Sequence, residues 1–350
     1  MICLFVTERY RYTIDEYLRA WARSLGNRCT VVTYESLPLR RSIRAATFIF
    51  TDLERLTPAQ CAAAEQLATR IESSGGRVLN RPSRVLRRFD LLRALHAAGR
   101  NPFNAYRIDG ARVPCRFPVF LRDERKHDGP LTPLLHNHDE LAAALSHLPQ
   151  SGAGLLAVEY CETGAADGLY RKYSAMRVAD RLIPRHVLFS AQWVDKTPDV
   201  VTDAGVAEER VFLHAFPHAV DTRAAFDLSG IDYGRIDYSC DANGRVVTWE
   251  INTNPVIVPL PEKCDVRRLE GQGQSARQIS DALRETEGPA DVSVSLAKLP
   301  PIVDDAGRGS LGRAVLSASA GVWRALSRLP LAGQAVRALK HSLDLAAQRA

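Results

Sequence analysis

Through the first eighty positions, apolar residues come in short unbroken runs separated by longer stretches of helical period. The runs at 2–7, 29–34, 47–50 and 77–79 predict β-strands of the kind buried on both faces. Between them 13–25 and 58–72 predict helices. Thr57 caps the second, and Pro58 takes its first position, where a missing N–H costs nothing. Gly75-Gly76 breaks the chain before the fourth strand, and the alternation as a whole predicts a small parallel α/β domain. It holds no GxGxxG and no Walker-type loop. A basic helix over 84–98 follows, then short strands at 117–122, 155–161, 170–178 and 181–189. A His-rich helical connector (136–148) sits among them; His136, His138 and His147 read as solvated polar residues rather than a metal site. No internal repeat is present.

The sharpest alternation lies between Ile231 and Pro255, where Asn243-Gly244 predicts a two-residue hairpin turn, since both central positions of such a turn need positive φ. Counting outward pairs Ala242 with Arg245, Cys240 with Val247, Tyr238 with Trp249 and Asp237 with Glu250. Ile236, Tyr238, Cys240, Val247, Trp249 and Ile251 then share a core-like face; Asp237, Ser239, Thr248, Glu250 and Asn252 share the other. Two carboxylates facing each other across a strand pair repel, and the hairpin itself carries nothing to offset that. A divalent cation would, and Mg²⁺ takes a few hard oxygen ligands while keeping positions for water and phosphate.

Composition changes little in this picture. The chain has 350 residues, 46% hydrophobic and 25% charged, an ordinary profile with room for two or three domains. No apolar run is long enough to span a bilayer. The opening Met1-Ile2-Cys3-Leu4-Phe5-Val6 has no basic leader and reads as a strand. Seven scattered cysteines without a CxxC pair fit a reducing cytoplasm better than a disulfide framework or a zinc site. The net charge is +6, but from Leu311 onward six basic residues face Asp344 alone, so the body is nearly neutral. That makes nucleic acid an unlikely partner, as does the scarcity of aromatics in the tail.

The residues of the hairpin carry a resemblance. Asp237 on one strand and Glu250-Ile-Asn-Thr-Asn-Pro255 on the next resemble the metal-binding end of the ATP-grasp superfamily, with Asp237, Glu250 and Asn252 on the ligand positions. The resemblance covers about residues 80–260 and implies an ATP-grasp fold, α/β (α+β) in class, in which two α+β subdomains clasp ATP behind a small N-terminal parallel domain. The corresponding divisions are 1–82 for that domain and 83–265 for the ATP-grasp domain. The latter splits into a hinge or small subdomain at about 105–175 and a metal-binding subdomain at about 176–265. A linker with a surface helix (266–310) and a basic amphipathic tail (311–350) complete the chain. It also implies a nucleotide site: Glu159 accepting from the adenine amine, the Tyr160–Cys161 backbone reading the ring edge, and Asp167, or else Glu162, on the ribose. Arg88 and Arg122 stand near positions where the superfamily usually places phosphate-binding lysines, and residues 123–130 lack its small Gly/Ser-rich loop. Lys172 falls where a basic residue meets the transferred phosphoryl group, Arg185 is a candidate for steering a carboxylate or acyl phosphate, and Asn254 for touching the intermediate. Trp193 and Lys196 are candidates for the cleft wall.

The activity implied is ligation, with ATP and Mg²⁺ (Mn²⁺ in its place) activating a small-molecule or peptide carboxylate for attack by an amine. A phosphotransferase and a nucleotide-binding sensor or scaffold without turnover are the alternatives. The tail, with helical apolar spacing either side of Pro330, suits docking on the body or on a second copy, or peripheral contact with an anionic membrane.

Overall fold

The computed structural model describes residues 1–108, 113–126, 129–148, 154–193 and 200–302; Lys196 and the tail lie outside them. Four strands of its N-terminal part are β1 (Ile2–Val6), β2 (Cys29–Thr33), β4 (Thr47–Phe50) and β5 (Arg77–Leu79). They form one parallel sheet in the order β2-β1-β4-β5. Helices α1 (Tyr12–Ala20) and α2 (Pro58–Ser73) make the crossovers. The expected cap holds as a complete capping box: Thr57 Oγ1 accepts from Gln60 N–H, and Gln60 Oε1 accepts from Thr57 N–H at 2.8 Å.

After α3 (Arg88–Ala97) come β6 (Ala105–Arg107), β7 (Val119–Asp123) and β8 (Leu155–Glu159), an antiparallel sheet ordered β6-β8-β7, with α4 (His138–His147) in the connection. A second antiparallel sheet, β10-β9-β11-β12, is built from β9 (Tyr170–Val178), β10 (Arg181–Ser190), β11 (Tyr233–Cys240) and β12 (Val246–Asn252). Helices α5 (Asp203–Ala215) and α6 (Ala219–Ser229) separate its two hairpins. The mixed α/β class and the order of a parallel unit followed by two α+β units are as the sequence predicts.

The segment after residue 265 is more than a linker. Helix α7 (Leu269–Glu285) buries Ala276, Ile279, Ala282 and Leu283 in one core with Ile2 and Leu4 of β1 and Met176 and Val178 of β9. A short strand β13 (Val292–Ser295) then pairs with β3 (Ser42–Ala45). The N-terminal sheet and the second antiparallel sheet therefore share a core through α7, and sequence periodicity alone read that helix as a surface element. Among the described residues no helix is long and apolar enough to cross a membrane. All seven cysteines are free thiols, and burial pushes those of Cys3 and Cys29 up to about 12.

Candidate active site

The hairpin of β11 and β12 reaches its expected register by an unexpected route. The turn has three residues, not two. Asp241 accepts from Gly244 N–H (2.9 Å) and donates to the Arg245 carbonyl (3.0 Å), with Gly244 at φ +76°. The Asp241 carboxylate secures the loop further by accepting from the N–H groups of Asn243 and Arg245 (2.9 and 3.0 Å). Pairing is thereby displaced by one: Cys240 faces Val246, Ser239 faces Val247 and Tyr238 faces Thr248. A β-bulge at Trp249 then takes up the extra residue, and Asp237 lies opposite Glu250 after all, with Arg235 opposite Asn252. The faces change between turn and bulge. Val246 joins Ile236, Tyr238 and Ile251 in one core cluster. Val247 instead packs with Phe103 and Phe120, and Trp249 leans on that second cluster. Thr248, expected beside Asp237, stands across from Tyr238. Gly234 lets β11 approach β12, since a Cβ there would lie 2.9 Å from the carbonyl oxygen of Asn252.

Neither carboxylate is left uncompensated, contrary to the expectation from the hairpin alone. Asp237 is buried and held bidentately by Arg235, Nε to Oδ1 at 2.8 Å and Nη2 to Oδ2 at 3.0 Å. Ser174, directly opposite on β9, donates to Oδ1 at 2.6 Å. Glu250 accepts from Arg88 Nη2 and, at 3.3 Å, from Arg122 Nη2. Burial, with the Arg88 charge alongside, pushes the Arg122 guanidinium down to about 10, and Glu250 only partly restores it. Burial also works against the Arg235 charge, but Asp237 more than offsets that and holds its pKa above the ordinary arginine value. Asn252 Oδ1 accepts from Asn254 N–H at 2.8 Å.

Arg122, Arg235, Asp237, Glu250 and Asn252 wall a cavity of about 280 Å³, whereas Arg88, Ser174 and Asn254 stand behind its lining. Its lining combines Arg122, Lys172, Arg235, Asp237, Glu250 and Asn252 with the aromatic rings of Phe120, Tyr160, Trp193 and Trp249, and includes Cys161 and Thr163. Trp193 lies 5.1 Å from the Phe120 ring and 5.6 Å, edge on, from that of Tyr160. An elongated ligand with a flat apolar head and an anionic tail matches such a lining. The oxygens of Asp237, Glu250 and Asn252 are the hard-donor set that Mg²⁺ takes, so the residues present fit that ion.

Several expected site residues do not reach the cavity. Glu159 turns to the far side of β8, where its carboxylate accepts from the N–H groups of Asn104 (3.0 Å) and Arg116 (2.7 Å) and from the Tyr106 hydroxyl (3.2 Å). Held there, it takes no part in the lining of the cavity. The Tyr160 N–H donates to the Pro118 carbonyl at 2.9 Å. Asp167 is exposed and tied to Arg171 (2.7 Å), whose guanidinium holds its carboxyl down at about 2. Glu162 accepts from Gly164 N–H (2.6 Å) and the Tyr160 hydroxyl (2.8 Å). Arg185 is the extra residue of a bulge in β10, fully buried, and donates to Gln272 of α7 at 2.9 Å. It is not among the residues that line the cavity. Asn254 is likewise buried and bonded to the N-terminal sheet's loops rather than lining the cavity. Lys172, Arg122, Tyr160, Cys161 and Trp193 line it as expected.

Sequence reasoning missed Arg235, Ser174 and Trp249. Arg235 was within reach, since period two places it on the face of Asp237. Ser174 needed the β9–β11 register and Trp249 needed the bulge; neither is written locally.

No family model and no curated protein matches the chain. Several solved structures have a similar backbone course. VanG D-Ala:D-Ser ligase from Enterococcus faecalis is 14% identical, with 81% of this chain and 98% of that one covered and a TM-score of 0.49. A RimK domain ATP-grasp protein from Sphaerobacter thermophilus is 16% identical (81% and 100% covered, TM-score 0.46). The D-alanine-D-alanine ligase from Coxiella burnetii is 12% identical (81% and 97% covered, TM-score 0.46). At these values the likeness is loose and bears on no residue's role.

Proposed function

We propose that the chain is an ATP-grasp ligase that holds Mg-ATP in this cavity and activates a substrate carboxylate for attack by an amine. The observation that carries the reading is Asp237 opposite Glu250, with Asn252, on the wall of a cavity lined by both cationic and aromatic side chains. Asp237, Glu250 and Asn252 would hold Mg²⁺ there, and the ion would supply neutralisation of phosphate charge. The chain's own residues do the rest. Phe120, Tyr160 and Trp193 take the base, and Arg122, Lys172 and Arg235 face the phosphates and absorb charge as it develops. A substrate carboxylate oxygen attacks the γ-phosphorus and the bond to the β–γ bridging oxygen breaks, giving an acyl phosphate and ADP. An amine then attacks the acyl carbon, phosphate leaves with the C–O bond electrons, and the amine proton passes to solvent or to phosphate. Positioning and electrostatics suffice for both steps, so the reading asks for no side-chain nucleophile.

Incubation with ATP, Mg²⁺ and pools of amino acids and short peptides tests this. Free phosphate and ADP should appear in equal amounts, and only when carboxylate and amine are both present. A phosphorylated product without free phosphate would favour a phosphotransferase. A second reading, nucleotide binding without turnover, draws on the arginines that already occupy both carboxylates. It predicts protection against melting by Mg-ATP with no ADP formed.

A further inference from the structure

Asn252 is the neutral member of the ligand set, and an amide presents either an oxygen or an NH₂ group. Only the oxygen can accept the Asn254 N–H, so that 2.8 Å bond fixes which way the Asn252 amide is turned. The place of the Asn254 N–H depends in turn on a side chain whose polar atoms are held by the segments that follow β1 and β4, the first turn of α1 among them. Asn254 Oδ1 accepts from the Thr13 hydroxyl at 2.7 Å. Its Nδ2 donates to Asp52 Oδ1 at 3.0 Å and to the Tyr10 carbonyl at 3.2 Å. All three side chains are buried: Asn254 is 2% exposed, Thr13 4% and Asp52 0%.

Asp52 is fixed as firmly as what it fixes. It sits in the left-handed region at φ +57° and accepts from Thr7 N–H (2.9 Å) and Oγ1 (2.7 Å) and from Arg55 Nε (2.9 Å). The neighbouring residue is tied to the same loop, because Thr253 Oγ1 donates to Glu54 and accepts from Leu53 N–H at 3.2 Å. The chain leaving β12 is thus stitched on both sides to the loops that follow β1 and β4.

We propose that Thr13 and Asp52 are positioning residues for the metal, acting through Asn254 on the oxygen of Asn252, so that the metal site is completed from the N-terminal sheet. This rests on the Mg-ATP reading. Partners of this kind behind a metal ligand typically change metal affinity by about 10–100-fold when removed.

The test uses the full chain and Mn²⁺ as probe, with bound ion read by electron paramagnetic resonance at saturating ATP. Thr13→Val should weaken Mn²⁺ binding about 10-fold while leaving metal-free ATP affinity, read by tryptophan quenching in EDTA, within about twofold. Thr13→Ser, which keeps the hydroxyl, should restore the wild-type value; a purely packing role for Thr13 would not separate the two variants in this way. Asp52→Asn serves if Thr13→Val does not fold, with the same expected loss. Mn²⁺ affinity unchanged in both, while Glu250→Gln lowers it, overturns the proposal and leaves the metal reading standing. Affinity unchanged in Glu250→Gln as well removes the metal reading, and the proposal with it.

Discussion

Glu250 tests the charge arrangement before any ligand is added. Its carboxylate lies against Arg88 and Arg122, whose side chains are 4% and 11% exposed, while its own is 17% exposed. Removing one partner of a buried ion pair costs about 3–5 kcal/mol, because the remaining charge is left desolvated. Glu250→Gln keeps the shape and one acceptor, and the site has some solvent, so about 2–3 kcal/mol is a fair expectation. For a compact unit spanning Met1–Val303 that lowers Tm by roughly 3–5 °C. The repulsion left between the two guanidiniums makes a second prediction: Arg122→Met added to Glu250→Gln should recover part of the loss, a non-additive pair in a double-mutant cycle. The measurement is denaturant or thermal unfolding in EDTA without nucleotide. A carboxylate held in place only to await a metal would behave oppositely, and its neutralisation would leave the free protein unchanged or more stable. A Tm at or above wild type for Glu250→Gln would therefore refute the ion-pair reading.

Trp193→Ala should weaken ATP binding about 5- to 150-fold, corresponding to about 1–3 kcal/mol of stacking, and leave inorganic triphosphate binding unchanged. Competition titrations with the two ligands check this. His186 is buried beside Arg185, Arg235, Arg268 and Lys172, and burial first, then those charges, hold its pKa well below 6.5. The unfolded chain takes up the proton below about pH 6.5, so stability is complete above that value and falls by up to about 1.4 kcal/mol per unit beneath it. Tm measured from pH 7.5 to 5 should fall less steeply in His186→Gln than in wild type. ATP and Mg²⁺ should each bind more tightly in the other's presence by more than about 10-fold, after their affinity for one another in solution is divided out, because phosphate and metal together can exchange the partners that the arginines and carboxylates now share. Calorimetric titrations of each with and without the other measure that coupling.

The opposition of Asp237 and Glu250 was legible in the sequence, though not for the reason the sequence offered. Asn-Gly signals a tight turn, and the two-residue and three-residue solutions differ by one step of register. What selects the longer one is the Asp241 carboxylate taking the N–H groups of Asn243 and Arg245. That displacement alone would part the carboxylates, and the bulge at Trp249 removes it. The bulge in turn puts the Trp249 indole on the cavity side, where its Nε1 donates to Ser239 at 3.0 Å. Two local departures cancel, and only the sum was readable. Glu159 shows the opposite case. Its strand was foreseen, but its side chain is captured by Asn104, Tyr106 and Arg116, residues up to 55 positions away whose approach no local pattern encodes. The α7 helix is similar: its Gly-, Gln- and Ser-rich first turns read as surface, whereas its apolar stripe is covered by β1 and β9.

Two features that looked like separate departures in the sequence, arginine where the resemblance expects lysine and the lack of a small Gly/Ser-rich loop after Arg122, have one structural cause. Arg88 stands at the start of α3, and its Nη1 donates to the carbonyls of Asp123 (3.2 Å), Glu124 (2.9 Å) and Lys126 (2.6 Å) while its Nη2 reaches Glu250. A guanidinium does this because its planar fork carries five donors directed to opposite sides; the single ammonium of a lysine has neither the span nor the geometry. The chain leaving β7 is thereby gathered onto the β11–β12 hairpin by side-chain bonds to its carbonyls rather than by a glycine-rich turn. The same contact neutralises Glu250, so Arg122 adds a second cation to one carboxylate and leaves a net positive charge on that wall of the cavity. The two sides of the cavity are therefore not independent: the arginines that the resemblance expects to grip a nucleotide are the ones that hold the Glu250 carboxylate in place.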